Sequence, residues 1–176
     1  MKKKTLIITI SLHALLIVSV YVFQGGIFPF MRLNGLVPLL LPVASTGIAL
    51  YEGRYTGGAA GLFAGILCDI SFNQPVGVFT VFLTITGLIV GTMADTVILR
   101  GFVTYYISCA AVLIVSAFIQ MFPLMVSPYI NIPLQSLLAI AIQQTIYSLV
   151  LALPIWFFVQ SLGRRAERML PSERTY

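Results

Sequence analysis

Six apolar stretches separated by short polar breaks follow one another along the chain. We predict a membrane-spanning helix in each of them, at residues 5–23, 36–51, 55–72, 76–94, 101–121 and 134–159. A hydrocarbon core about 30 Å thick is crossed by about 20 apolar residues in a helix, which these stretches approach or exceed, the second being the shortest. The pattern therefore predicts an all-α bundle of six spans, folded as one integral membrane domain over residues 1–176.

The composition agrees with this prediction. Hydrophobic residues make up 59% of the 176-residue chain and charged residues only 9%, with a mean hydropathy of +1.02. A soluble domain has about 25% charged residues, so a surface this poor in charge belongs in lipid rather than in water. We therefore expect a multi-pass membrane protein without a separately folded soluble domain.

Basic residues mark the orientation of the predicted bundle. With both termini on one side, that side takes nine of the ten lysines and arginines, and the other side takes only Arg32. The nine are Lys2, Lys3, Lys4, Arg54, Arg100, Arg164, Arg165, Arg168 and Arg174. Such a bias is typical of cytoplasmic loops, so we predict cytoplasmic N and C termini, with a basic tail at residues 163–176. The net charge of +5 is then a topology signal rather than a nucleic-acid surface.

The third and fourth predicted spans carry glycines four residues apart, and each ends in a single aspartate. These residues are Gly57, Gly61, Gly65 and Asp69 in the third span, and Gly87, Gly91 and Asp95 in the fourth. Residues four apart share one face of a helix, so each span has a smooth groove where helix backbones can approach closely. Two interpretations stay open: the grooves pack these helices within the chain, or part of a groove receives a helix from another protein.

The two aspartates lie at opposite membrane faces, because they close two successive antiparallel helices. They therefore do not form a catalytic pair. We hypothesise that Asp69 holds together the outer turn that contains Pro75 and Gly77, either through local amides or through Arg32. For Asp95 we expect a cap on an inner turn, close to Arg100 in sequence.

The second predicted span contains Pro38 and Pro42, and proline removes a hydrogen bond inside a helix. We therefore expect a kinked or partly unwound span whose freed carbonyls are satisfied by protein or water. A simple kink and a ligand cavity beside Ser45 and Thr46 both fit this pattern. In the first span, His13 is expected to be neutral and hydrogen-bonded within the bundle, since a proton relay would need acidic neighbours at its depth.

Other polar or reactive side chains within the spans indicate packing. Cys68 and Cys109 fall in apolar segments, where small buried thiols are expected. Gln143 and Gln144 are interpreted as hydrogen-bonding groups between helices. The charge-free outer loop at residues 122–133 is expected to lie in the headgroup region or under a partner. No nucleophile motif, phosphate-binding loop or metal-ligand spacing is present, so we predict a protein without enzymatic activity, cofactor or metal.

Residues 56–100 resemble the MreD family of rod shape-determining proteins. The resemblance rests on Gly61-Leu-Phe-Ala-Gly65-Ile-Leu-Cys-Asp69, on Pro75-Val-Gly77 after a short turn, and on Gly87 and Gly91 in the next span. It implies a non-enzymatic scaffold in the bacterial plasma membrane that serves cell elongation and peptidoglycan synthesis. The partners it implies are MreC, the filament protein MreB, RodA and a class B penicillin-binding protein.

The MreD fold is similar to the S components of energy-coupling-factor vitamin transporters, which are alike in size and number of spans. A substrate-binding S component is therefore the alternative function. Those proteins dock their transporter partner through small residues four apart in the first span. Here the first span offers Ala14 and Val18 at that spacing rather than two alanines.

Overall fold

The computed structural model describes residues 2–26, 37–72, 77–96, 101–126 and 133–169. Within these residues the chain forms six α-helices and no β-strand, which confirms the all-α prediction for the described part of the chain. The helices are α1 (Lys2–Gly26), α2 (Leu40–Glu52), α3 (Arg54–Phe72), α4 (Val78–Thr96), α5 (Phe102–Val126) and α6 (Leu134–Met169).

The outside of the bundle is apolar. Leu15 in α1, Ile107 in α5 and Phe158 in α6 are each exposed over 65% or more of their surface. Three helices in the described residues are long and apolar enough to cross a membrane, at Val78–Asp95, Phe102–Met121 and Gln135–Ser161, and Ile10–Gly26 forms a shorter apolar helix. Together these features define a membrane protein, since an apolar exterior is stable only in lipid.

Helices α5 and α6 extend furthest beyond the ends of their predicted spans. Helix α5 continues to Val126, so residues 122–126 of the predicted outer loop are helical. Helix α6 continues to Met169 and includes residues 163–169 of the predicted tail. An apolar segment keeps its backbone hydrogen bonds by remaining helical, and arginine, alanine and glutamate favour a helix in the α6 extension. Residues 127–132 and 170–176 lie outside the described residues.

Helix α2 is the centre of the bundle. Every residue from Leu40 to Leu50 is buried, and α2 packs against all five other helices. With 13 residues it is about 20 Å long, which is shorter than a hydrocarbon core. It is therefore enclosed by protein along its length and has little contact with lipid.

The prolines do not kink α2; instead, the start of the predicted second span is not helical, which matches the partly unwound alternative. Pro38 precedes the helix and Pro42 is its third residue, within the first turn. The N–H groups of a first turn have no partner inside their own helix, so a proline there removes no helical hydrogen bond. Residues 37–39, which belong to the predicted span, precede the helix, and residue 36 lies outside the described residues.

Aromatic rings fill the end of the bundle where α2 finishes. Trp156 in α6 is buried, and its ring centroid lies 4.7 Å from Tyr105 and 5.3 Å from Tyr51. Tyr105 also packs beneath Gly47, whose missing side chain leaves room for its ring. The cluster therefore ties α2, α5 and α6 together at this end.

Candidate functional site

The glycine faces of α3 and α4 are turned toward each other. A Cβ added to Gly61 would overlap the carbonyl of Leu83, and one added to Gly65 would overlap the Cα of Thr80. Near the other end of the pair, a Cβ on Gly57 would lie 2.8 Å from the carbonyl oxygen of Gly87. Real Cβ atoms almost never approach other atoms this closely, so the two backbones are in direct contact.

The remaining glycines of the motif extend this contact. Gly87 faces the carbonyl of Gly57, and Gly91 faces the backbone of Arg54, whose Cα would lie 2.7 Å from an added Cβ. Gly57 also faces Ala49 of the central helix. All five glycines of the motif are buried. The grooves are therefore filled by helices of this chain, and a partner helix has no access to them.

Asp69 is the most densely hydrogen-bonded side chain of this helix pair. Its Oδ2 accepts from the backbone N–H of Gly77 at 2.9 Å and of Thr80 at 3.2 Å, and Oδ1 accepts from the N–H of Phe79 at 2.9 Å. The hydroxyl of Thr80 donates to Oδ2 at 2.6 Å. Asp69 is only 4% exposed, so its negative charge is balanced by these donors and by the positive end of α4.

This geometry matches the version of the Asp69 hypothesis that uses local amides. A carboxylate from the last turns of α3 caps the first turn of α4 across the connection between the two helices. Gly77 makes the approach possible with a positive φ of 106°, a conformation that favours glycine. Arg32, the other partner that the sequence suggested, lies outside the described residues, as does Pro75.

Asp95 makes the corresponding contact at the opposite end of the pair. Its Oδ2 accepts from the backbone N–H of Arg54, the first residue of α3, at 3.1 Å. Gly53, with a φ of 86°, links α2 to α3 and lies directly beneath the Asp95 carboxylate. Asp95 is exposed, unlike Asp69, and Arg100 lies outside the described residues. A carboxylate from each helix of the pair therefore accepts hydrogen bonds from the first turn of the other helix.

A second polar arrangement caps the start of α2 inside the bundle. Gln24 in α1 accepts hydrogen bonds through Oε1 from the N–H groups of Leu40 at 3.0 Å and Leu41 at 3.2 Å. Ser148 in α6 accepts from the N–H of Leu39 at 2.8 Å. Both capping side chains are buried, so α1 and α6 satisfy the donors that the start of a helix leaves free.

Hydroxyl and amide groups near this cap are also engaged. Gln144 donates to the carbonyl of Val37 at 2.9 Å, so it bonds to the residues before α2 rather than to a helix, and Gln143 is exposed. Ser45 and Thr46 donate to the carbonyl of Pro42, at 3.0 and 2.7 Å. The two hydroxyls proposed to line a ligand cavity are therefore used within α2 itself.

His13 has the acidic neighbour that its sequence context did not reveal. Its Nε2 lies 3.7 Å from Oε1 of Glu52, the last residue of α2, and their side chains are 7% and 10% exposed. The pair joins residues far apart in sequence. It links α1 to the end of the central helix.

Sequence reasoning missed the capping roles of Gln24, Ser148 and Thr80. The predicted first span stops at residue 23, whereas α1 continues through Gln24, whose polar side chain forms buried hydrogen bonds. Cys68 and Cys109 are buried free thiols, as predicted. In the described part of the chain, no group of three or more histidine, cysteine or acidic side chains is arranged to hold a metal.

Comparisons with protein-family models, with curated proteins and with solved structures found no match. The functional assignment therefore depends on the motif in α3 and α4 and on the geometry described above.

Proposed function

We propose that this protein is a non-enzymatic membrane scaffold of the bacterial cell-elongation machinery, as its resemblance to the MreD family implies. In this proposal all six helices lie in the bacterial plasma membrane, with both termini in the cytoplasm. It acts by helix and loop contacts with partner proteins of peptidoglycan synthesis, and it needs no cofactor.

One observation carries the proposal. The described residues of the resemblance form one packed helix pair. Their glycine faces bring α3 and α4 into backbone contact, and Asp69 caps the start of α4. The carboxylate is held by backbone and hydroxyl donors, which suits a part that stabilises shape rather than one that exchanges protons with a substrate. A rigid helix pair inside an apolar bundle supports a scaffolding role.

The proposed partners follow from the same resemblance. They are MreC, RodA and a class B penicillin-binding protein within the membrane, and MreB on its cytoplasmic side. Since the glycine faces are filled by this chain, these partners would contact the outer faces of the bundle, the segment at residues 127–132, or the basic end of α6.

Depletion in the bacterial host tests the proposal. We expect elongated cells to become round or swollen when the protein is depleted, and to recover their shape when the wild-type gene is restored. A plasmid carrying Asp69→Ala should restore shape poorly, whereas one carrying Asp95→Ala should restore it better, because Asp69 holds three backbone donors and Asp95 one.

Normal shape after depletion would contradict the scaffold proposal. Purified protein should also show no thermal shift with a panel of vitamins. A large shift with one vitamin would instead favour the alternative function, a substrate-binding S component of an energy-coupling-factor transporter.

A further inference from the structure

Gln143 presents a polar side chain on the outer face of α6. It is exposed, as are Ala139, Ile146 and Val150, which follow the helical spacing of three and four residues along the same face. We call these four residues the α6 strip. Gln144, the next residue, is buried and points into the bundle, where it bonds to Val37.

The depth of Gln143 makes its exposure unfavourable. The apolar part of α6, Gln135–Ser161, has 27 residues and is about 40 Å long. Gln143 lies about 8 Å from the middle of this segment, which is inside a hydrocarbon core about 30 Å thick. Among the described residues, no hydrogen bond to its amide is found. An amide in hydrocarbon without a hydrogen bond is costly, so this position favours a partner that supplies one.

The outward face of α4 shows what a lipid-facing surface looks like in the same protein. Val81, Ile85 and Ile89 are exposed at similar spacing, and all three are branched and apolar. The α6 strip differs from that face in two ways, since it carries an amide and since Ala139 beside the amide leaves room for a neighbouring helix. The difference indicates a protein contact at the α6 strip.

The basic end of α6 indicates whether the partner at the α6 strip is a second copy of this chain or a different protein. Beyond Ser161 the helix continues to Met169, with Arg164, Arg165 and Arg168 in its last turns. A second copy packed alongside in the same orientation would bring two such basic ends together, and their charges would repel. A helix from a different protein, with acidic residues beside these arginines, would be attracted instead.

We infer that the α6 strip binds one membrane-spanning helix of a partner protein. This helix carries a hydroxyl, amide or acidic side chain that hydrogen-bonds to Gln143, and acidic residues past its end at the arginines of α6. The inference rests on the proposed scaffold function, because it names the surface through which a membrane partner would bind.

Site-specific photo-crosslinking in the host tests it. A photo-reactive residue replaces Ile146 on the α6 strip or, as a matched control, Ile85 on α4; these side chains are 59% and 51% exposed. We expect an adduct at Ile146 with a different protein, whose crosslinked peptide lies in a membrane span that has a polar residue at the depth of Gln143 and acidic residues past its end. The control position should give little or none.

Variants then connect the adduct to the proposed contacts. Gln143→Leu should lower the adduct yield about three- to tenfold, the range for one interhelical side-chain hydrogen bond, whereas Gln143→Asn should retain most of it. Arg164→Glu with Arg168→Glu should also lower the yield. Because Gln143 is exposed, Gln143→Leu should leave the folding of the protein unchanged, which unfolding in detergent would verify.

Four results would overturn the inference: an adduct between two copies of this chain, no protein adduct, equal adducts at both positions, or a yield unaffected by Gln143→Leu. The scaffold proposal fails by a separate result, normal cell shape on depletion. If depletion rounds the cells but Gln143→Leu restores their shape and keeps the adduct, the function stands and the α6 contact is wrong.

Discussion

Asp69 and Asp95 cap each other's helices: Asp69 in α3 binds the first turn of α4, and Asp95 in α4 binds the first residue of α3. The two helices run antiparallel, so each carboxylate near the end of one helix meets the positive start of the other. Between the two caps, glycines bring the backbones into contact. The pair is therefore fixed in register at both ends as well as along its length.

Replacing the two aspartates should have unequal effects. Asp69→Ala leaves one buried and two partly buried backbone donors without an acceptor and should lower the free energy of unfolding by about 3–5 kcal/mol. Asp95→Ala removes one exposed cap and should lower it by about 1 kcal/mol. Asp69→Asn keeps one acceptor oxygen and should fall between them. Denaturant unfolding of the purified protein in detergent measures all three, and equal effects would contradict the capping geometry.

The stability cost of replacing a glycine of α3 by alanine should depend on which atoms face that glycine. Gly61→Ala places a methyl group against the Leu83 carbonyl, so the helices must separate, and we expect a loss of about 2–3 kcal/mol or failure to fold. Gly58→Ala meets only the end of the Leu88 side chain, which can move, and should stay within about 1 kcal/mol of wild type. Thermal unfolding compares the variants. A tolerated Gly61→Ala would show that α3 and α4 are not in backbone contact.

The cap of α2 should depend on Gln24. Gln24→Leu removes the acceptor for Leu40 and Leu41 in the interior and should lower the free energy of unfolding by about 2–4 kcal/mol. The matched control is Gln143→Leu, which replaces an exposed glutamine of another helix and should leave the isolated protein as stable as wild type. If Gln24→Leu lowers the free energy of unfolding no more than Gln143→Leu does, α2 does not need this cap.

Two glycines with positive φ provide a test of the Asp95 contact. Gly53→Ala and Gly77→Ala should each cost about 1–2 kcal/mol, because a side chain is strained at φ of 86° and 106°. Gly53→Ala should cost more, since its Cβ would lie 2.7 Å from Oδ1 of Asp95, whereas Gly77 faces open space.

A double-mutant cycle isolates that extra cost. Adding Asp95→Ala to Gly53→Ala should recover the excess loss, and adding it to Gly77→Ala should recover nothing. Additive effects in both pairs would show that the Asp95 carboxylate does not lie over Gly53.

The helices of this bundle were predictable because an apolar run in lipid has few alternatives to a helix. The motif of α3 and α4 was predictable for a related reason, since glycines four apart mark one helix face and Asp69 follows them at the same spacing. A role for Asp69 in holding the start of α4 could be expected because its partners lie within eleven residues of it in sequence.

Contacts between distant parts of the chain could not be inferred in this way. His13 meets Glu52, and Leu39 meets Ser148 across 109 residues, through the packing of α1 and α6 around α2. The sequence around each of these residues does not indicate which distant residue it contacts. The start of α2 was placed too early because residues 37–39 are apolar. The N–H groups of Leu39, Leu40 and Leu41 are bound by Ser148 and Gln24, which lie in other helices.

The cap of α2 also constrains when the protein can finish folding during its synthesis. Ser148 is made 109 residues after Leu39, a delay of about 5–20 s at ribosomal rates of about 5–20 residues per second. Until then the N–H of Leu39 lacks its acceptor, the Ser148 hydroxyl, and α2 lacks the packing against α5 and α6. The short helix α2 therefore stays incompletely packed and incompletely hydrogen-bonded until α6 has been made.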